Sequence, residues 1–515
     1  MRILIFHGYL LRGTGSNIYN AELTRSLVEL GHEVHLFCQE PRAAEYDFVD
    51  AVGRWRDGRL EVEPVRQPAR CTAYLPDIGR TLPVYVADRY AGFDARPFPS
   101  LTGEQIEHYI TANAAAVRDV AAAAAPEVAL ANHLVMGPVI LARALAGQVP
   151  YAVKIHGSAL EYTVRPHAAR FVPYAREGLA SAAGVLAGSR HTAESLWEVV
   201  GLPGLRERTR LLPPGVDLHV FRPRSPAEAK ARLAALADRL EAEPPAWGGA
   251  ADGAQALRAA DPTRDRMVSY VGKLIVSKGV DLLIAAWPLV AGQVPDARLM
   301  IAGFGEYREA LVRLARALGE QDLAAARVIA ARGRELEGGP PGELRYLAAF
   351  LDSLAGAERE RYLAAAPGAM RRAHFVGRVE HADVSELMCA SRALVVPSTF
   401  PEAFGMVAAE AACCGSVPVS AAHSGLAEVT AVLGPAVGEE LRPMLSFALG
   451  PDVVREIAGD LIRWLAFADD APDAWQRATA SLRDVARAEF GWPDIASGVT
   501  AAAQGRLADL PPVPP

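Results

Sequence analysis

Apolar residues enter this chain in short blocks with two alternating periods. "RILIF" is a continuous apolar run of strand length. "SNIYNAELTRSLVELG" after it sets Ile18, Leu23, Leu27 and Leu30 at helical spacing, and Gly31 supplies the terminating glycine. "HEVHLF" then returns to a strand pattern, completing the βαβ unit of a parallel sheet. "VALAN", "YAVKIHG" and "GVLAGS" extend the series, each joined to helical text. Near "LLPPGVDLHVFRP" (Leu211–Pro223) prolines and glycines break the rhythm. A second series follows: "MVSYVGKL", the helix "GVDLLIAAWPLVAG", "RLMIAGFG", "AHFVGRV", "ALVVPST" and "SVPVSA". The pattern predicts an α/β chain of two doubly wound, Rossmann-like domains facing across a cleft, 1–212 and 213–480. Residues 481–515 are expected to form a helix crossing back to the first domain and a frayed, disordered tail.

Two stretches do not fit a minimal version of this plan. Residues 225–265 are rich in Ala, Pro and Gly and predict a helix with a mobile loop. Residues 318–372 predict a long helical insertion broken at "EGGPPGE". No chemistry is assigned to either.

Composition narrows the class. A length of 515 residues exceeds what one core usually serves, and 51% hydrophobic with 22% charged residues is the balance of a globular protein. A net charge of −7 sets nucleic acid aside as a partner. The five cysteines (Cys38, Cys71, Cys389, Cys413, Cys414) show no C-x-x-C spacing and read as reduced thiols of a cytoplasmic protein. The N-terminal text reads as strand and loop rather than a leader, and no stretch reaches about 18 uninterrupted apolar residues. Peripheral contact with the inner face of the membrane stays open.

The candidate chemistry begins with lysine usage. Among 53 lysines and arginines only Lys154, Lys230, Lys273 and Lys278 are lysine, and two of them share "YVGKLIVSKG". There they bracket the carboxyl end of a strand and the start of a helix, where a parallel sheet binds anions. Lysine suits a diphosphate as a compact point charge, although two solvated lysines fit the spacing too. The second stretch is "VPSTFPEAFGMVAAEAACCGSVPV". Glu402 sits in a loop and Glu410 in the following helix, about 2.2 turns apart, with unpartnered N–H groups between and Gly405 permitting close approach. Carboxylates so placed match sugar or ribose hydroxyls; the plainer alternative is a helix-start glutamate and an ordinary helix glutamate.

"PEAFGMVAAE" preceded by "GKLIVSKG" resembles the retaining nucleotide-sugar glycosyltransferases of the GT-B fold. This group includes phosphatidylinositol mannosyltransferases and sucrose synthases. "GTGSNIYNAEL", "KIHGSALEY", "AGSRHTAESL", "LPPGVDLHVFRP", "LMIAGFGE" and "FVGRVEHADVSELMCASRALVVPS" follow the same order over most of the chain. The resemblance implies that Glu410 holds the donor ribose. Glu402 would contact sugar hydroxyls, with the backbone of Phe404, Gly405 and Met406 around sugar and diphosphate. Lys273 and Lys278 would clamp the diphosphate, and Lys273 stands where the family more often has arginine. Gly13 and Gly15 match the family's glycine loop, and His156 in "KIHGS" its histidine near the transferred sugar. The base would be read around Gly377, Arg378 and Val379, largely by backbone groups. Glu428 matches a position near the site, but "HSGLAE" departs from the more usual double glycine there.

The catalytic set so implied is His156, Lys278 and Glu402. The leaving diphosphate would help deprotonate a hydroxyl acceptor on the same face of the sugar, so no protein nucleophile is needed. The chain has no D-x-D triplet, so no metal or other cofactor is expected beside the nucleotide-sugar co-substrate. The acceptor is not legible; the aromatic- and proline-rich stretch Cys71–Ser100 predicts a shaped loop beside it. A nicotinamide dehydrogenase is the nearest rival, with "RGTGSN" after a strand and Glu40 ending the next, but Ile18 stands at its third glycine position. A degenerate sugar-nucleotide-binding protein, and an epimerase or phosphorylase on the same fold, remain as alternatives.

Overall fold

The computed structural model describes residues 1–86, 90, 92–243 and 248–514. It divides into two units, Met1–Gly215 with Phe490–Pro515, and Val216–Glu489. The chain therefore changes unit at 215/216 and 489/490, beside the expected 212/213 and 480/481.

The first unit contains β1 (Arg2–Phe6), β2 (Glu33–Phe37), β3 (Ala51–Arg56), β4 (Arg59–Pro64), β5 (Cys71–Leu75), β6 (Thr81–Val84), β7 (Asp94–Pro97), β8 (Val128–Asn132), β9 (Tyr151–Lys154), β10 (Gly184–Ala187) and β11 (Thr209–Leu211). Nine of them form one sheet in the order β11-β10-β9-β8-β1-β2-β5-β3-β4, while β6 and β7 pair separately. Among the described strands of this unit only the β3–β4 pair is antiparallel. β8, β9 and β10 are buried along their whole length, as parallel strands with both faces covered must be. The stretch Cys71–Ser100, expected as a loop without periodicity, supplies β5, β6 and β7 instead; its residues 87–89 and 91 lie outside the described residues.

The second unit holds β12 (Arg266–Val271), β13 (Ala297–Ala302), β14 (Ala373–Gly377), β15 (Ala393–Val396), β16 (Val417–Ala421) and β17 (Ser446–Phe447). They form a parallel sheet in the order β14-β13-β12-β15-β16-β17. Each sheet thus reverses direction of travel once, between β1 and β8 in the first and between β12 and β15 in the second. Loops leaving the carboxyl ends of those neighbours diverge and leave the crevice in which such sheets bind ligands.

The 318–372 stretch folds as helices Leu323–Arg332, Arg345–Ser353 and Gly356–Arg371, with "EGGPPGE" between the first two, and the last packs on helix Val280–Gln293, which is buried nearly throughout. One more expectation changes. The tail is docked rather than frayed. Helix Trp492–Ala503 packs on helix Gly15–Glu29 and on β8, β9 and β10. Beyond it, Leu211 N–H donates to Pro511 O, Arg210 Nε to Leu507 O, and Leu510 is buried. The unpaired edge of β11 gives those backbone groups partners. Among the described residues no helix is long and apolar enough to cross a membrane.

Candidate functional site

The two switch points carry two clusters of polar side chains, one in each unit. In the second unit β12 runs into Gly272–Gly279, a turn closed by a short 3-10 segment, Val276–Lys278. Gly279 has φ +64, and a Cβ there would stand 1.9 Å from Pro397 O, so only glycine lets this loop meet the end of β15. Thr399 N–H donating to Ser277 O at 2.9 Å joins the two loops. That joint brings Lys278 to Glu402: Lys278 Nζ pairs with Glu402 Oε1, and Ser398 Oγ donates to the same oxygen at 2.5 Å.

Glu402 is fixed from behind as well. Its N–H donates to Ser424 Oγ at 2.9 Å, while His423 meets Ser424 Oγ through Nδ1 and donates from Nε2 to Ser398 O at 2.7 Å. Ser424 has φ +51 and stands at the position where the double glycine was missed. The backbone there is left-handed, which glycine adopts freely; serine holds it while accepting the Glu402 N–H. Gly405 has φ +145, and a Cβ would lie 2.8 Å from Leu426 Cδ2; Phe404 before it is buried and Met406 after it opens the helix Met406–Cys414.

Glu410, in that helix, is buried to 2% side-chain exposure against 23% for Glu402. A buried carboxylate needs a partner, and His381 Nε2 donates to its Oε1 at 2.7 Å. The His381 ring lies 5.1 Å from that of Phe221. Glu428 is half-buried on helix Ser424–Leu433. Lys273 is half-buried just past β12, its carbonyl accepting from Tyr270 OH at 2.8 Å. The structure contains no reason for lysine there rather than arginine.

Both stretches left without chemistry reach this site. Glu337, from the second, accepts Val276 N–H at 2.7 Å and so grips the lysine loop from beneath. Beside it Asp281 is buried in the first turn of the following helix; burial, offset by its own backbone N–H and reinforced by Glu337, pushes its pKa up to about 7. From the first stretch, Gly248 O accepts the Arg378 N–H at 2.8 Å. That backbone group is therefore already committed where the base was expected to be read. Val379 packs partly buried beside it, and Gly377 closes β14 with φ +87.

In the first unit His7, His133 and His156 follow the carboxyl ends of β1, β8 and β9, which are neighbours in the sheet. Adjacency of the strands brings the rings together, His7 stacked on His133 with centroids 5.9 Å apart and His133 tilted against His156 at 4.7 Å. Tyr85 lies 4.4 Å from His133, and Tyr19 5.2 Å from His156. His156 Nε2 donates to Asn132 Oδ1 at 2.9 Å. His7 accepts from Asn20 and donates toward Asn17 and Leu10, and burial lowers its pKa to about 4. Burial holds His133 and His156 well below the ordinary histidine range, and charging either would also meet repulsion from neighbouring basic groups, His156 and His7 for the first and Lys154 and His7 for the second. Among the described residues neither ring nitrogen of His133 has a hydrogen-bond partner. The same signal that singled out His156, a histidine directly after a strand, marks "IFHGY" and "ANHLV", and the sequence reading passed over both.

Gly13 has φ +91, and Gly15 opens the helix that follows Thr14. Glu40, the ribose carboxylate of the dehydrogenase rival, is instead buried and paired with Arg12 at 2.9 and 3.1 Å. Lys154, at the end of β9, donates to Leu212 O and lies over the Tyr19 ring, and burial lowers its pKa to about 7. Among the described residues no group of His, Cys, Asp or Glu has metal-binding geometry.

Comparison with known proteins covers both units. Residues 13–220 match the family described as Glycosyltransferase Family 4, and residues 257–323 and 350–432 match Glycosyl transferases group 1. The unmatched stretches between them contain Gly248 and Glu337. The chain is 25% identical over 494 residues to a D-inositol 3-phosphate glycosyltransferase of Xylanimonas cellulosilytica, covering 94% of this chain and 90% of that one. Among solved structures, the sucrose-phosphate synthase of Thermosynechococcus elongatus superposes with a TM-score of 0.56 at 18% identity, over 99% of this chain and 100% of that one. Anabaena HepE in complex with UDP and glucose does so with a TM-score of 0.55 at 14% identity, over the same shares.

Proposed function

Because the chain is a glycosyltransferase of the GT-B fold that takes a nucleotide-sugar donor, we propose that it transfers a hexose with retention of configuration and without a metal. The observation that carries this reading is the Lys278–Glu402–Ser398 cluster, set at the β12/β15 switch point by a glycine that no other residue can replace. In the reaction the bond from the anomeric carbon to the diphosphate oxygen breaks. The acceptor hydroxyl oxygen bonds to that carbon on the same face, and its proton passes to the departing diphosphate. Lys278 and Lys273 carry the positive charge that stabilises the diphosphate as it leaves. Glu402, held by Ser398 and Ser424, aligns sugar hydroxyls, and Glu410 holds the ribose diol. His156, kept neutral by burial, is a hydrogen-bonding group for the transferred sugar rather than an acid.

The Xylanimonas relative is a D-inositol 3-phosphate glycosyltransferase, which makes D-inositol 3-phosphate the first acceptor to try. The test incubates the protein with UDP-, GDP- and ADP-sugars, with and without that acceptor, in chelator. Expected are acceptor-dependent release of one nucleoside diphosphate and a product with the donor's anomeric configuration by NMR. Inversion at the anomeric carbon, or activity abolished by the chelator, would refute the corresponding half of the proposal. Donor binding without turnover on any acceptor would favour a degenerate binding protein.

A further inference from the structure

Helix His381–Ala390 and helix Met406–Cys414 pack on one another, and each carries a cysteine at its far end. Cys389 lies about two turns beyond His381, and Cys414 about one turn beyond Glu410. The Cys414 thiol hydrogen-bonds to the Cys389 sulfur. Arg224 Nη1 donates to the same sulfur at 3.0 Å. That arginine is buried, with 6% of its side chain exposed, and its Nη1 also pairs with Glu386 at 3.2 Å. As a thiol, Cys389 donates in turn to Arg222 O at 3.0 Å. The two helices that meet at these cysteines are the two joined by His381 and Glu410.

Packing alone does not account for this arrangement. Cys38, Cys71 and Cys413 are buried, and burial pushes Cys38 and Cys413 up to about 12 and Cys71 well above the ordinary thiol range. Thiols in such surroundings are inert. Among the described cysteines Cys389 alone is not fully buried. The Cys414 thiol, and after it the Arg224 guanidinium, hold Cys389 below the usual thiol value against its partial burial, while burial raises Cys414. One sulfur is thus set to react as the thiolate, and the other stands beside it still protonated.

We propose that Cys389 and Cys414 form a peroxide-reactive dithiol whose closure to a disulfide weakens donor binding. The Cys389 thiolate attacks one oxygen of hydrogen peroxide, the O–O bond breaks and a sulfenic acid forms. The departing hydroxide takes up the proton that Cys389 had released. The Cys414 sulfur then attacks the sulfenic sulfur, and its proton leaves with the hydroxyl group as water. Two thiols are oxidised and one peroxide is reduced to two waters. The disulfide no longer donates to Arg222 O and no longer offers Arg224 a negative charge. Both arginines follow Phe221, whose ring lies 5.1 Å from that of His381, the partner of Glu410. Closure therefore disturbs the side chain that fixes the carboxylate assigned to the donor ribose, a coupling that rests on the donor reading above.

In the test, reduced protein is treated with hydrogen peroxide, alkylated and digested, and its peptides are identified by mass spectrometry. Peptides of Cys389 and Cys414 joined to one another, and separated by dithiothreitol, are expected. In Cys414→Ala the same treatment should leave a Cys389 sulfenic acid that dimedone captures. Calorimetry with UDP, GDP and ADP should show the preferred nucleotide bound about fivefold or more weakly by the oxidised protein, with dithiothreitol restoring the affinity. Cys389→Ser, which keeps a donor for Arg222 O, should bind as the reduced protein does and be indifferent to peroxide. Absence of the linked peptides, or linkage through Cys413 as readily, would overturn the dithiol. A linked pair with unchanged affinity would overturn its effect on the donor. If reduced wild type binds none of the three nucleotides, the donor reading fails and the coupling with it, whereas the mass spectrum still decides the linkage.

Discussion

His381 Nε2 stands 2.7 Å from Glu410 Oε1 and is the polar partner of a carboxylate that is almost wholly buried. The pair joins the helix after β14 to the helix after β15, so the orientation of Glu410 is set by a residue from another loop. His381→Ala removes the hydrogen-bond donor to a buried carboxyl group and leaves it unsatisfied, a cost of about 1–3 kcal/mol. Donor KM is expected to rise about tenfold or more, with kcat changed less, and His381→Gln, which restores an N–H, should recover part of the loss. Equal KM in the alanine variant would show that Glu410 keeps its place unaided.

Lys278 and Glu402 form the charged centre of the second-unit site. Lys278→Ala should lower kcat about a hundredfold, the usual cost of losing one stabiliser of developing charge. Its thermal unfolding should stay near wild type, because the pair is partly exposed and such pairs add little stability. A large drop in melting temperature with unchanged kcat would make the lysine structural.

Glu337 grips the lysine loop through Val276 N–H. Glu337→Ala leaves a buried donor unpaired, a cost of about 1–3 kcal/mol, unless the loop shifts. Steady-state kinetics should show donor KM raised, and Glu337→Gln, whose amide oxygen still accepts, should restore it. No difference between the alanine and glutamine variants would count against a positioning role.

Asp281 predicts a pH dependence of stability. Its pKa in the fold is raised from 3.8 to about 7, so between those values the native state binds more protons than the unfolded chain. Its contribution is therefore fully present below the unfolded value and is lost as pH rises toward 7. His7 and His374, lowered to about 4, act in the opposite sense over an overlapping range, while Asp460, raised to about 6, acts in the same sense, so the whole-protein profile mixes them. The difference between wild type and Asp281→Asn isolates the aspartate. Denaturant unfolding from pH 4.5 to 7 should show the wild type losing ground to the variant as pH rises, and parallel profiles would refute the shift.

Much of this molecule is local information. The apolar runs that became β1, β8 and β12 and the helical spacing of Ile18, Leu23 and Leu27 lie within a few residues of one another. So do the glycines flanking "GKLIVSKG" and "PEAFGMVAAE". Periods of this kind report which face of an element will be buried, because one face of a helix or both faces of a parallel strand must leave water. That is why the two α/β units, and the two loops with Lys278 and Glu402, could be read from text alone.

Which elements become neighbours is decided over longer distances. Sheet order brings His133 between His7 and His156, though the three are scattered along the first unit. Glu337 reaches Val276 across 61 residues, and Gly248 takes the Arg378 N–H, because the stretches carrying them fold back onto the sheet. Short-range periodicity says nothing about those pairings. They follow from filling a core and satisfying each buried N–H, and only the folded chain completes both.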